Sequence, residues 1–387
     1  MMDRKDKFPS GILILSILVI VSLVLLFIRF IYGLGAATNL SDGRPWGFWI
    51  VFDDMCGVAL AAGGFTLAGI VHIFGREKYR SLYRPAILTA FLGYILVVLS
   101  LVVDLGQPWY MWHFFIYWNV DSPMFEVAVC AVLYTIVLAL LFSPAVFERL
   151  EGLNFPVIKR IKWSILLKIV RRIEIPLIIA GIIISTLHQS ALGSVLLLMP
   201  ASLHPLWYTP VLPALFLISA IAVGPAMVIF ETIISNRIFG HQLAQDVMSG
   251  LVRYIPYILG VYLCLKILDL IIAQELGLLF TAGHYSLLWW GEILIGVIIP
   301  LILLSIPTVR NIRMAVFWSS VLVVAGIIFN RFNVALFGLA MRSGYTYTPH
   351  WMEIAISVGL VADAMLVIWL AYRYLPVHTD EKTSIEA

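Results

Sequence analysis

Four acids and one deep histidine interrupt the apolar stretches in the first half of the chain: Asp53, Asp54, Asp104, Glu126 and His188. Ionisable groups inside apolar segments are costly, and are functional candidates by default. Carboxyls grouped with one imidazole suit proton-coupled chemistry on a lipophilic carrier. A quinone needs an apolar slot for its ring and tail, and one or two groups that hydrogen-bond its carbonyl oxygens. Its reduction also takes up two protons, for which a histidine and a nearby carboxylate are suitable shuttles. On this reading a neutral His188 donates to one quinone oxygen, while Asp104, or one of the Asp53 and Asp54 pair, orients or reprotonates it. A plainer role is open to Asp54 and Glu126, because helix N-termini favour acids.

A second polar set lies in the other half: Lys266, Asp269, Glu292, Asn330 and Arg331, with Glu231 and Asp363 in neighbouring segments. Lys266 and Asp269 are three residues apart, so they share a helix face and can pair. Together these groups could carry protons inward from the cytoplasm; the alternative is a set of neutralised structural pairs. Metal chemistry finds less support. Of the eight histidines only His188 falls deep in an apolar segment, so a haem held by two histidines is not expected. The three cysteines, Cys56, Cys130 and Cys264, form no C-x-x-C pair, which argues against an iron–sulfur cluster and reads as small buried hydrophobes.

The elements that must position these residues are membrane helices. The chain of 387 residues is 62% hydrophobic and only 12% charged, outside the balance of a soluble domain. Runs of about 20 apolar residues span a bilayer core. They predict ten helices, near 11–32, 48–73, 86–105, 123–143, 175–199, 211–235, 252–274, 288–306, 314–333 and 352–372. The first follows a charged stretch but is too long for a signal-peptide core and precedes no A-x-A site, so it reads as an uncleaved anchor. Twenty of the 25 Lys and Arg fall in the N- and C-terminal segments and alternate loops; Arg44, Arg331 and Arg342 lie on the other side, and Arg29 and Lys266 lie within helices. The positive-inside rule then places both termini in the cytoplasm. The net charge of +3 is this orientation signal and needs no nucleic-acid partner.

With that orientation, Asp53, Asp54, Asp104, Glu126 and His188 lie towards one outer face on four consecutive helices. The loops on that side are rich in aromatics. Gln107 to Pro123 reads QPWYMWHFFIYWNVDSP, with no cation. Its aromatic density exceeds an interfacial belt and suggests a surface covered by a partner protein. The longest connection, 144–174, is cytoplasmic and too short for an extramembranous domain. Within it, 157–172 carries apolar residues at helical spacing among Lys and Arg, and reads as an amphipathic helix on the anionic leaflet.

The stretches PWGFWIVFD (45–53), the glycine pair 63–64, VDLG (103–106), FEVAVC (125–130), HQSALGS (188–194), HPLW (204–207) and GYTYTPHWMEI (344–354) resemble the NrfD/PsrC family of polysulfide-reductase-type membrane subunits. The likeness runs from about residue 30 to residue 376, and is strongest to the ten-helix branch typified by the HybB subunit of hydrogenase-2-type NiFe hydrogenases. The resemblance implies a haem-free, quinone-binding subunit of an inner-membrane respiratory complex, inactive alone. It also implies periplasmic partners: a ferredoxin-like iron–sulfur subunit and the small and large hydrogenase subunits. Carried over, the site residues are Asp53, Asp104, Glu126 and His188; Asp54 departs from the family pattern, where an apolar residue is expected.

The pattern predicts a single all-α integral membrane domain, 1–387. Helices 2–5 (about 48–199) and 6–9 (about 211–333) form two four-helix bundles, flanked by helices 1 and 10. Its function would be to pass electrons from the iron–sulfur partner to menaquinone or ubiquinone. Competing readings are a subunit of another oxidoreductase of the family, a proton-coupled transporter, and a passive anchor. Transporters favour sites near the midplane, whereas the densest cluster here lies nearer one face.

Overall fold

Among the described residues, ten long helices carry the architecture. The computed structural model describes residues 10–44, 46–153, 162–199, 202–239, 245–339 and 347–377. In chain order the helices are α1 (Ser10–Tyr32), α2 (Trp49–Ile73), α3 (Tyr83–Asp104), α4 (Pro123–Glu151), α5 (Trp163–Leu197), α6 (Leu212–Phe239), α7 (Gln245–Ile272), α8 (His284–Ser305), α9 (Arg313–Phe337) and α10 (Trp351–Tyr374). Nine of them, α1 to α4 and α6 to α10, are long and apolar enough to cross a membrane, and no β-strand occurs among the described residues. The chain is an all-helical, multi-pass membrane protein. A helix satisfies its own backbone in lipid, which is why the apolar runs adopt it.

α5 contains the predicted fifth segment but is much longer, at 35 residues. At 1.5 Å per residue it runs about 52 Å, well beyond a hydrocarbon core of about 30 Å. The basic stretch 162–172 therefore does not stand as a separate element: from Trp163 it forms the first turns of α5, continuous through Pro176. α4 is extended to match. Its Glu148 is held by Arg84 at 2.8 Å and by Arg171 at 3.2 Å, and Phe147 packs on Trp163 with ring centroids 5.5 Å apart. These contacts keep the two projecting ends paired. Residues 154–161 lie outside the described residues.

α2, α3, α4 and α5 pack as neighbours, as do α6, α7, α8 and α9. α6 lies against both α2 and α5, and α9 against α2, so one continuous apolar core joins the two groups. The glycine pair makes the α2 contacts possible. A Cβ at Gly63 would meet Val228 of α6 at 2.9 Å, and one at Gly64 would meet Ala90 of α3 at 2.6 Å. α1 pairs with α10, and this pair leans on α2 and α3 through a smaller cluster of Leu25, Trp49, Val103, Ile356 and Leu360. The remaining face of α1, with Leu13, Ile20 and Phe27, is exposed as a lipid-facing surface requires. Cys56 and Cys130 are buried as expected; Cys264 instead faces outward from α7.

Candidate functional site

The first acids sit where α2 is irregular. Trp49–Cys56 winds as a π-helix, whose wider turn lets two consecutive carboxylates both point inward. Asp53 is 6% exposed and Asp54 2%. Asp53 accepts a hydrogen bond from the Ser357 hydroxyl of α10. Asp54 lies within electrostatic reach of Asp53 and of Asp104, the last residue of α3. Among the described residues, Asp54 Oδ1 and Asp104 Oδ1 have no hydrogen-bond partner. Glu353, at the start of α10, closes the cluster. It is fully buried and accepts from the backbone N–H groups of Asn39 at 3.1 Å and His350 at 3.0 Å, and from the Tyr347 hydroxyl. Burial and the bond to Glu353 push the Tyr347 hydroxyl well above its ordinary range, so it remains a donor.

A second layer lies deeper along α3, α4 and α5. His188 is fully buried on α5, and neither ring nitrogen has a hydrogen-bond partner among the described residues. Its ring is 5.5 Å from that of Tyr94 on α3, which packs edge-on against Tyr134 of α4 at 4.5 Å. Tyr94 is also within electrostatic reach of Asp54, and its hydroxyl has no hydrogen-bond partner among the described residues. Gln189 Nε2 donates to the Val58 carbonyl at 2.8 Å and ties α5 to α2, leaving its own Oε1 without a partner. A buried polar atom left unpaired costs about 1–3 kcal/mol. Several in one place mark where a polar ligand or water belongs.

The structure thus brings together Asp53, Asp54 and Asp104, with His188 packed on Tyr94 in the same helix group. Glu126 is not joined to them: it occupies the first turn of α4, half-exposed, and no hydrogen bond links it to the cluster among the described residues. Sequence reasoning missed Tyr94, Tyr134, Ser357, Glu353 and Gln189. Ser185, His188 and Gln189 at i, i+3 and i+4 give one polar face on an apolar helix, a signal that could have flagged the last of these.

The second polar set is reorganised. Lys266 pairs with Glu292 of α8, not with Asp269. Glu292 also accepts from Trp207 Nε1 at 3.1 Å, Asn330 Nδ2 at 2.9 Å and Asn333 Nδ2 at 2.9 Å. Arg331 donates to Asn330 at 2.6 Å and Ser219 at 2.9 Å, with its guanidinium 3.6 Å from the Phe216 ring centre. Asp269 accepts from Thr209 instead. A small cavity lined by Thr209, Tyr262, Lys266, Asp269 and Asn330 has room for about one water. Glu231 lies apart and meets Tyr372 of α10 at 3.5 Å, and Asp363 joins none of these groups.

On the face where the acids lie, the loop after α3 presents Trp109, Trp112, Phe115, Tyr117 and Trp118 to the outside; Trp118 is 72% exposed. It holds only two short helical turns, Pro108–Tyr110 and His113–Ile116.

The sequence pattern of the polysulphide reductase NrfD family matches residues 36–342, a stretch that holds Asp53, Asp54, Tyr94, Asp104, Tyr134, His188 and Gln189 but ends before Tyr347 and the α10 residues. The chain belongs to the NrfD family. A protein of Nitratidesulfovibrio vulgaris is 38% identical over 98% of each chain. The probable Ni/Fe-hydrogenase 2 b-type cytochrome subunit of Escherichia coli is 33% identical over 95% of this chain and 92% of its own. The integral membrane subunit of menaquinone reductase from Nitratidesulfovibrio vulgaris is 29% identical over 90% of this chain and 87% of its own. One of those names mentions a b-type cytochrome, and the NrfD chain can be tested for the fit. Two histidines would have to face one another. His72 packs on Tyr83 at the far end of α2, His204 stacks on Tyr285, His350 caps α10, and His113 and His284 lie in or beside loops. None of these faces His188, so a bis-histidine haem does not fit the described residues; His241 and His378 lie outside them.

Proposed function

We propose that this chain is the quinone-reactive membrane subunit of a respiratory oxidoreductase of the NiFe-hydrogenase type. It lies in the cytoplasmic membrane with both termini inside. Electrons arrive one at a time from a periplasmic iron–sulfur subunit docked on the aromatic, cation-poor face. Menaquinone or ubiquinone takes up two electrons and two protons and leaves as the quinol. The observation that carries this reading is the buried His188 with two unpartnered ring nitrogens, packed on Tyr94, in the same helix group as the open carboxyl oxygens of Asp54 and Asp104. His188 supplies an N–H to one carbonyl oxygen, and the carboxyls supply protons. The names of the Escherichia coli and menaquinone-reductase relatives support the donor and acceptor classes.

The Lys266–Glu292 pair is assigned a structural role. With three further donors on Glu292, it is a fully hydrogen-bonded ion pair, and among the described residues no direct hydrogen bond joins it to Glu231, Asp269 or Asp363.

The test is H188A in the assembled, membrane-held complex. Hydrogen-to-quinone electron transfer should fall by at least 100-fold, while hydrogen-to-dye transfer in the peripheral subunits is retained. Unchanged quinone reduction would refute the assignment.

A further inference from the structure

Arg29 is the one cation of α1, and it is 1% exposed although α1 otherwise faces outward along most of its length. Its Nε donates to the Val103 carbonyl at 2.7 Å, and its Nη2 donates to the Leu105 carbonyl. Those two carbonyls flank Asp104 at the C-terminal end of α3. Carbonyls at a helix C-terminus lack intrahelical donors, and a cation there is favoured by the helix dipole. Arg29 therefore spends its fork on the backbone either side of Asp104. Among the described residues no ion pair joins it to the Asp104 carboxylate, whose Oδ1 stays unpartnered.

We propose that Arg29 is a positioning residue for Asp104: it clamps the peptide carbonyls on both sides of the acid, aiming the carboxyl into the cluster, and holds a positive charge beside it without consuming its hydrogen-bonding capacity. The functional part of this rests on the quinone reading above. The groups facing Asp104 are Arg29 from α1, Asp54 from α2, Glu353 from α10 and Tyr347 from the segment before it. Arg29 is the cation that acts on Asp104 among three carboxyls and a phenol; Arg44, also buried, faces the phenol instead, 5.8 Å from the Tyr347 ring. The Arg29 charge sets how readily Asp104 gives up the proton that passes to a quinone oxygen as electrons arrive from the iron–sulfur partner. A guanidinium is needed for the clamp, since an ammonium is a point charge that cannot bridge two carbonyls in a fixed fork.

The two roles separate in R29Q and R29K. Infrared titration of the complex in detergent follows carboxyl protonation, and D104N identifies the Asp104 band by its loss. R29Q should displace the Asp104 titration, and the pH profile of quinone reduction, to higher pH by about 1 unit, the scale of losing one nearby opposite charge. R29K should leave the titration in place but lower quinone reduction by about 10-fold, through loss of the clamp. An R29Q titration superimposed on the wild-type curve would overturn the charge role, and wild-type turnover in R29K would overturn the clamp. Should R29Q fail to accumulate, R29K still decides the second point and R29H, titrated across its own ionisation, decides the first. The quinone reading fails by a different result: full hydrogen-to-quinone turnover in D104N, which leaves the infrared comparison intact.

Discussion

Removing one partner of the Lys266–Glu292 pair should be far more harmful than removing both. The two side chains are 6% and 2% exposed, so neither charge can be relieved by water. K266M leaves Glu292 ionised but still held by Trp207, Asn330 and Asn333. The cost of orphaning a buried ion is about 3–5 kcal/mol, and these three donors place K266M at the lower end, about 3 kcal/mol. E292Q leaves Lys266 without a counter-charge, facing a neutral amide, the Tyr262 hydroxyl at 3.4 Å and the rings of Tyr262 and Trp289. Its cost should reach about 4–5 kcal/mol. In K266M/E292Q both charges of the pair are gone and Arg331 keeps its neutral partners Asn330, Ser219 and the Phe216 carbonyl; the loss should fall to about 1–2 kcal/mol, well below the sum of the singles. The assay is reversible unfolding of the purified chain in mixed micelles, with the double-mutant cycle computed from the midpoints. Single variants within 1 kcal/mol of wild type, or a double variant as damaging as the sum, would refute the reasoning. If the pair is structural as assigned, the double variant also retains quinone turnover per assembled complex.

Three further outcomes are expected. G64V drives a side chain into Ala90, which a Cβ already approaches to 2.6 Å; it should cost about 2–3 kcal/mol and lower the amount of folded chain in membranes, read by fluorescence-detected gel filtration. S357A removes the hydroxyl that donates to Asp53; the loss of about 1–2 kcal/mol in stability should come with slower quinone reduction and unchanged dye reduction. The pair W109A/W118A trims the exposed aromatic loop; folding should be unaffected, whereas co-purification of the iron–sulfur partner should weaken by at least 10-fold.

Much of the site was legible because charge in an apolar run is conspicuous. Asp53, Asp54, Asp104 and His188 stood out on composition alone, and alternating loop charge put them on one face. Their link was not legible. Tyr94 and Ser357 are unremarkable in apolar helices, and only packing shows that one lies against His188 and the other holds Asp53. Glu126 was gathered into the cluster by depth, yet the first turn of α4 leaves it half-exposed, where the helix dipole alone accounts for an acid. Spacing suggested Lys266 with Asp269, but same-face neighbours on one helix compete with partners on the next. The buried Glu292 of α8 won, because it neutralises Lys266 where water cannot. The extent of α5 was missed for a related reason: charged residues mark the end of an apolar run, not the end of a helix. Arg171 and Trp163, bound to Glu148 and Phe147, carry the helix on past it.

The most direct measurement of the central claim is to locate the bound quinone. A photoreactive azido-quinone, crosslinked in the assembled complex and mapped by peptide mass, should label the start of α2 around Asp53 and Asp54, the end of α3 around Asp104, and the turn of α5 that carries His188. Excess native quinone should suppress that label, and H188A should abolish it. Competable labelling confined to the cavity between α6, α7 and α9, near Lys266 and Asp269, would contradict the account.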